Sequence, residues 1–450
     1  MTNLSPSPIS PITSGWVKPT VLAALSLMLC ACSVLPERLQ PTNLARRPAN
    51  PTISIDLPAR TQAQLRDFDI ATRALRDRYI DAKAVNAAWD VKVLEIRKKI
   101  TERSSEEQFA EVMNELISTL NNPDISFSLP TDPNASASAP SAQSFVGIGV
   151  LVDLPRTDKE RVLILSVFED SPAARAGIKP HDAIVRVGGR PVRAEEGGAV
   201  ISRIRGEPNS QVVLTIQTPN TPARDVTVTR RAVLSQSATV ARKLPGTNYG
   251  YILPSPTLAP EALRGDITAA LRKLSDEKLD GLVLDLRVMR DAKFPAIDLL
   301  NLFANGYLAN QYVRERKGDK LEITGKNVVG SQDLPLVVLV GDLTSGQAET
   351  FAGVLQDLGR AKVVGNPTPG NVALIAEVVI PNNGLQLNVP YGEYRGIKDK
   401  SWLRKRDADG KTLPGGGVQP DVKFERTWEE FTDADDPHVQ KAIEILKGGA

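Results

Sequence analysis

The sequence predicts a multidomain α+β protein, and three observations carry that prediction. Segments with apolar residues at three- and four-residue spacing come first, short β runs follow, and near-continuous apolar strands alternating with amphipathic helices fill the remainder. At 450 residues the chain has room for two or three domains, and its 41% apolar and 24% charged content is that of an ordinary globular protein. The 55 Lys and Arg nearly balance the 53 Asp and Glu, and no basic tract carries interleaved aromatics, so nucleic acid is not an expected partner. Only His181 and His438 occur. A multi-histidine metal site is excluded, a Ser-His-Asp triad would need one of these two residues, and neither metal nor cofactor is expected.

The elements follow in order. Lys18 precedes the apolar run VLAALSLMLCAC, too short to span a bilayer as a mature helix, so residues 1–31 read as an export signal. Its end, Leu29-Cys30-Ala31-Cys32, resembles the lipobox of bacterial lipoproteins. That resemblance implies cleavage before Cys32, acylation of Cys32 and an effectively permanent membrane anchor. An ordinary cleaved signal is the alternative. Ser33, in place of an inner-membrane-retaining aspartate, points to the outer membrane facing the periplasm. Residues 32–60 are Pro-rich and polar and read as a tether. The helical periods Leu65–Tyr79, Ala84–Ile100 and Glu106–Leu120 define an N-terminal helical region, 61–127, and TDPNASASAPSAQS lies in a flexible linker, 128–144.

From Phe145 the runs VGIGVLV, RVLILSVF, AIVRVGG, QVVLTIQ and RDVTVTR, with a short helix signal at SPAARAG, predict a β-rich module over 145–232. Gly147-Ile148-Gly149-Val150 and SPAARAGIKPHDAIVRVGGRPV resemble the carboxylate-binding loop and the helix-turn-strand segment of a PDZ domain. The resemblance implies a groove at residues 147–150 in which loop amides take a C-terminal carboxylate and the peptide adds as a strand. His181, in the KPHD turn where this module usually has glycine, reads as a surface turn residue.

After residue 245, NYGYILP, GLVLDLRV and LPLVVLV read as strands. PEALRGDITAALRKLSD, PAIDLLNLFA and AETFAGVLQDLG read as helices, which makes 233–450 an α/β core. AKVVG, VALIAEVVI, LQLNVPYGEY and VKFER add strands, and DDPHVQKAIEILK is a capped terminal helix with Pro437 in its first turn.

This order, with GLVLDLR, AGVLQDLGRAKVVGNPTPG and GGGVQPDV, resembles the carboxyl-terminal processing, or tail-specific, proteases. The resemblance implies a protease-like core, and in that family a Ser-Lys dyad with a supporting Gln performs peptide hydrolysis. A serine hydroxyl needs an adjacent base, and a lysine serves only when desolvated. In register with family patterns such as SASASE, the stretch Thr344-Ser345-Gly346-Gln347-Ala348-Glu349 puts Gly346 at the nucleophile position. GRAKVVGNPTPGN puts Asn371 at the lysine position and Ile375 at the glutamine position. Met289-Arg290-Asp291-Ala292 replaces the glycine-rich oxyanion loop. Ser345 is a displaced candidate nucleophile, and Lys362 a conceivable base that reads better as a strand-edge charge. Thr344 or Ser345 is expected to cap the helix opening near Gln347, with Glu349 completing a capping box. Arg287 reads as half of an ion pair.

The expected protein is a lipid-anchored periplasmic relative of these proteases without intact catalysis. It would bind polypeptide C-termini or envelope proteins, an active protease among them, as adaptor, scaffold or competitor. Two readings stay open beside it: an active serine endopeptidase, and a cleft adapted to a lipid or glycan.

Overall fold

The computed structural model describes residues 57–448, except 102–103, 123, 129–143, 156–157, 235–238, 291–293, 381–384 and 408–410. The signal, Cys32, the tether before residue 57, nearly all of the linker and Asp291-Ala292 therefore lie outside the described residues.

Helix α1 (Ala59–Arg78) buries Leu65, Phe68, Ala71 and Leu75 along one face. Asn86 caps α2 (Ala87–Arg97) by accepting from the amides of Ala88 and Trp89. Ser105 and Gln108 form a reciprocal capping box at the start of α3 (Glu106–Ser118). Arg97 clamps Asp69 through Nε and Nη2 at 2.7 and 2.9 Å, tying α2 to α1. Strand β1 (Ser126–Ser128) then leaves this region to join a sheet of the core.

The β-rich middle region opens with β2 (Ser144–Gly147) and β3 (Val150–Asp153), so the run expected as one strand is broken in two. Gly149 makes the break at φ +79°, and a Cβ there would lie 2.4 Å from the Ser171 side chain. Next come β4 (Val162–Val167), the single turn α4 (Pro172–Arg175) capped by Ser171, β5 (Ala183–Val187) and β6 (Arg190–Pro191). Helix α5 (Val200–Ile204), β7 (Gln211–Gln217), β8 (Arg224–Thr229) and β9 (Arg231–Leu234) complete it. One sheet runs β3-β4-β5-β7-β8 with β6 on β5, and β2 pairs with β9. Strand β7 alternates as the period-2 rule requires, with Val212, Leu214 and Ile216 inward.

The core begins with β10 (Val240–Lys243), β11 (Tyr249–Leu253), α6 (Pro260–Ser275), β12 (Gly281–Asp285) and α7 (Ala296–Phe303). A hairpin of β13 (Gly306–Val313) and β14 (Arg316–Ile323) follows; no strand is expected there from the sequence, because β14 is almost wholly exposed and charged. The chain continues through β15 (Leu336–Val340), α8 (Gln347–Asp357), β16 (Lys362–Gly365), β17 (Leu374–Ile380), β18 (Leu385–Arg395), β19 (Val422–Lys423) and α9 (Pro437–Gly448). The central sheet has the order β10-β11-β12-β15-β16-β19, parallel from β11 onward. Strands β12 and β15 are buried along their whole length because helices cover both faces. Residues of α6, α7 and α8 pack on one face, and Ala442 and Leu446 of α9 on the other. A second sheet, β1-β18-β13-β14 with β17 on β18, stands beside it.

A buried charge cluster joins β12 to the C-terminal segment. Arg287, 4% exposed, donates to Asp285 and to Asp436, each at 2.6 Å. Tyr251 donates to Asp285 at 2.7 Å, and Asp436 also accepts from the amides of His438 and Val439, capping α9. The Arg287 guanidinium lies 5.0 Å from the Trp428 ring centroid and 5.5 Å from that of Phe431.

The same aromatic segment holds the middle region, and here the reading of His181 is corrected. It is not a surface residue: it is 1% exposed and stacks on Trp428 with ring centroids 3.9 Å apart. Its Nδ1 is 2.7 Å from the Trp428 carbonyl oxygen and its Nε2 3.2 Å from Asp433. The hydrogen bond with His181 holds the Asp433 carboxyl below its ordinary range. Trp428 donates from Nε1 to the Ile164 carbonyl, and Glu429 takes Lys159 and Arg161. The turn bearing His181 is thus pressed into the core by residues remote in sequence.

Arg287→Met leaves two carboxylates buried without their cation. Such a variant is expected to lose about 3–5 kcal/mol of stability, read as a lower urea midpoint. Adding Asp285→Asn and Asp436→Asn should recover at least part of the loss, because the stranded charges go with them.

Candidate active-site cleft

Parallel strands β12, β15 and β16 are neighbours, so their carboxyl ends form one rim, the place where open α/β sheets bind ligands. The connections leaving that rim are 286–290, 341–346 and 366–371. A cavity of about 460 Å³ opens there. Arg290, Ser345, Gly346, Gln347, Asn371, Leu374, Ile375 and Glu377 line it from the core, with Asn388 and Tyr391 of β18. Asp124 and Ser126 close it from the N-terminal region. The structure thus brings together Gly346, Asn371, Ile375 and Ser345, which the sequence supplies from separate segments.

The turn before α8 is built from inside. The buried Thr344 hydroxyl accepts from the Gly341 amide and donates to the Leu286 carbonyl, both at 2.9 Å. The Ser345 amide donates to the Met289 carbonyl at 2.9 Å. Gly346 precedes the helix at φ 70° and ψ −142°, with no side-chain cap. The capping expectation is therefore corrected: Thr344 holds the loop together, Ser345 is tied by its amide, and Glu349 turns away. A side chain at residue 346 would carry the strain of left-handed backbone, as nucleophiles on tight strand-to-helix turns do. Here no side chain stands there.

Glu349 is fully buried and binds the loop carrying Asn371. It accepts from the Thr368 hydroxyl, from the Gly370 amide at 2.6 Å and from the Asn371 amide at 2.7 Å. The Asn371 carboxamide oxygen accepts from Arg404, whose Nε also donates to the Pro369 carbonyl at 3.1 Å. This Arg404 contact is not legible in the sequence, because no local pattern links residues 371 and 404. Lys362 stands exposed at the first residue of β16, the end of the strand away from the rim. Among the described residues lining the cavity there is neither lysine nor histidine. What the lining offers is the hydroxyls of Ser126 and Ser345, the carboxamides of Gln347, Asn371 and Asn388, a phenol, two carboxyls and a guanidinium. Burial pushes the Asp124 carboxyl and the Tyr391 phenol up. This set can hold polypeptide by hydrogen bonds, and the groups in it that could take a proton from a serine are the carboxyls of Asp124 and Glu377.

Residues 147–150 line a separate cavity of about 410 Å³ with Leu151–Leu154, Ile201, Ile204 and Arg205. Helix α5, whose Ile201 and Ile204 form its far wall, is too short to announce itself by periodicity.

Two buried groups set opposite pH dependences. Burial raises the Glu349 carboxyl from its ordinary 4.5 to about 7, against the pull of its three hydrogen bonds. Its contribution to stability is fully present below about pH 4.5 and is lost as pH rises through 7. Burial, then the charge of Arg287, lowers His438 from 6.5 to about 4, so its contribution is present above pH 6.5 and is lost as pH falls through 4. At about 1.4 kcal/mol per pH unit, each swing is about 3 kcal/mol. Relative to the native chain, Glu349→Gln should gain stability by that order between pH 4.5 and 7. His438→Gln should gain it as pH falls from 6.5 to 4. Urea unfolding of the three proteins at stepped pH reads both differences.

Comparison with known proteins meets this geometry. Residues 249–424 match the family described as Peptidase family S41, and residues 163–218 match the PDZ domain. The carboxyl-terminal-processing protease of Synechocystis sp. is 27% identical over 387 residues, covering 84% of this chain and 85% of that protein. The carboxy-terminal processing protease CtpB of Bacillus subtilis is 27% identical over 318 residues, 69% of this chain and 62% of that one. The chain therefore spans less than two thirds of the Bacillus protein. Among solved structures, the photosystem II D1 C-terminal processing protease superposes with TM-score 0.53 at 22% identity, covering 80% of this chain and 93% of that one. A Bacteroides fragilis structure named as an S41 protease gives 0.57 at 17% identity, covering 84% and 97%. Residues 249–424 thus form a domain of peptidase family S41, preceded by a PDZ domain, and the chain is a homologue of carboxyl-terminal processing proteases.

Proposed function

We propose that this chain is a polypeptide-binding homologue of the tail-specific proteases. In this reading it is anchored through Cys32 to the periplasmic face of the outer membrane and does not hydrolyse peptides by the Ser-Lys route. It engages polypeptide through the PDZ groove and the cleft, and serves as adaptor, scaffold or competitor in envelope proteolysis. One observation carries the proposal: at the rim, a bare glycine at 346 lines the same cavity as Asn371, whose carboxamide is held by Arg404. An amide cannot take a proton from a serine, and the Ser345 amide is engaged by the Met289 carbonyl.

Ser345 lines the same cavity and supports one competing reading, a displaced nucleophile. Incubation of the chain, produced without residues 1–32, with an unfolded protein bearing an apolar C-terminus separates the two. The expected result is no cleavage, together with binding that disappears when the substrate's last residues are removed. Turnover that is abolished by Ser345→Ala would overturn the proposal in favour of the peptidase. The anchor is tested separately in cells: labelled palmitate should enter the native chain and not Cys32→Ser, and equal labelling of both would exclude lipidation at that residue.

A further inference from the structure

Arg290 is shared by the two cavities. It lines the cleft beside Ser345 and Gly346, and it also lines the PDZ groove beside β3. Its guanidinium donates through Nη1 to the Asp153 carboxylate at 2.5 Å and through Nη2 to the Val152 carbonyl oxygen at 3.0 Å. Both acceptors belong to β3, four residues long and at the end of the order β3-β4-β5-β7-β8. An end strand is what an added peptide strand pairs with, and its outward carbonyls supply half of the new ladder.

The occupant of this groove is a polypeptide tail, a step that rests on the function proposed above. The loop at Ile148 and Gly149 closes one end, with the Arg205 guanidinium nearby, 4.9 Å from the Phe145 ring centroid, as a cation for a terminal carboxylate. Ile201 and Ile204 make the wall apolar for the last side chain. A tail starting there and running antiparallel along β3 advances about 3.4 Å per residue. It reaches Val152 after about three residues and meets Arg290.

We infer that Arg290 is an intramolecular competitor for the edge of β3 and thereby sets how much of a tail the groove accepts. The last three or so residues bind with Arg290 in place. A longer tail can extend its ladder past Val152 only by displacing the guanidinium, which the same step releases at the mouth of the cleft. Displacement is felt in the cleft because the neighbouring Met289 carbonyl holds the Ser345 amide. The residue at 290 therefore acts as a specificity determinant for tail length, and it occupies the loop where the family has glycines.

The test compares a tripeptide and an octapeptide sharing the same apolar C-terminal sequence, binding to the purified full-length chain in detergent by fluorescence anisotropy. The native chain should bind both within about threefold, because the extra residues gain no ladder bond at Val152. Arg290→Ala and Arg290→Gln should leave the tripeptide unchanged and bind the octapeptide about tenfold tighter, the worth of one or two added hydrogen bonds. Arg161→Ala loosens the PDZ–core contact at Glu429, away from β3, and should keep the native length dependence. Equal length dependence in the native chain and both Arg290 variants overturns the inference while leaving tail binding standing. The same gain in Arg161→Ala also overturns it, by assigning the effect to domain loosening. Absence of binding by either peptide to every protein overturns the tail-binding reading and this inference with it.

Discussion

The guanidinium of Arg287 is the point on which the arrangement depends. It leaves β12 at the rim of the cleft, and its two carboxylate partners come from β12 itself and from the residue that caps α9. Its face lies against Trp428 and Phe431, and Trp428 in turn stacks on His181 of the PDZ domain. One buried cation therefore joins the site strand, the terminal helix and the docked PDZ domain. The low exposure of all three charges makes the joint sensitive to loss of any member, since an isolated buried charge is far costlier than a satisfied triad.

Given that joint, the loops of the cleft are positioned by contacts from outside the cavity lining as well as within it. The turn 341–346 is held by Thr344 to Leu286 and by Ser345 to Met289, contacts made by a backbone carbonyl at each end of the 286–289 loop. The loop 368–371 is held by Glu349 from one side and Arg404 from the other. In the first set Ser345 takes part through its backbone amide, so its hydroxyl is not needed to hold the turn. The bonds from Glu349 reach the Gly370 and Asn371 amides, so they do not depend on which side chain stands at 371.

What was legible in the sequence follows from where the stabilising contacts lie. Helices α1, α3 and α9 bury residues at helical spacing, and β12 and β15 are short apolar runs between turn signals, so local pattern and tertiary environment agree. The β13–β14 hairpin was not legible because its outer strand faces solvent and carries mostly charged residues. His181 was misread because its burial is created by Trp428, 247 residues away. The cleft residues Gly346, Asn371 and Ile375 were legible only through family register, since nothing in a glycine, an asparagine or an isoleucine announces a site. Glu349 was read as a cap because capping boxes are local, whereas its partners lie 19 to 22 residues further on.

Arg287 and Arg290 show how one short connection can serve two neighbours. Three residues apart at the end of β12, they face different elements: Arg287 is buried toward α9, and Arg290, about a third exposed, reaches β3 of the PDZ domain. The buried pair lies in low dielectric and is little affected by solvent or salt, whereas the partly exposed one is screened and costs little to break. The domain is thus fixed where Trp428 and Glu429 grip it and exchangeable at the edge that a polypeptide would use. A groove held rigidly at one side and closed by a weak contact at the other can admit a ligand without undocking the domain. That division of strength puts the exchangeable contact at the mouth of the cleft, where Arg290 lines both cavities.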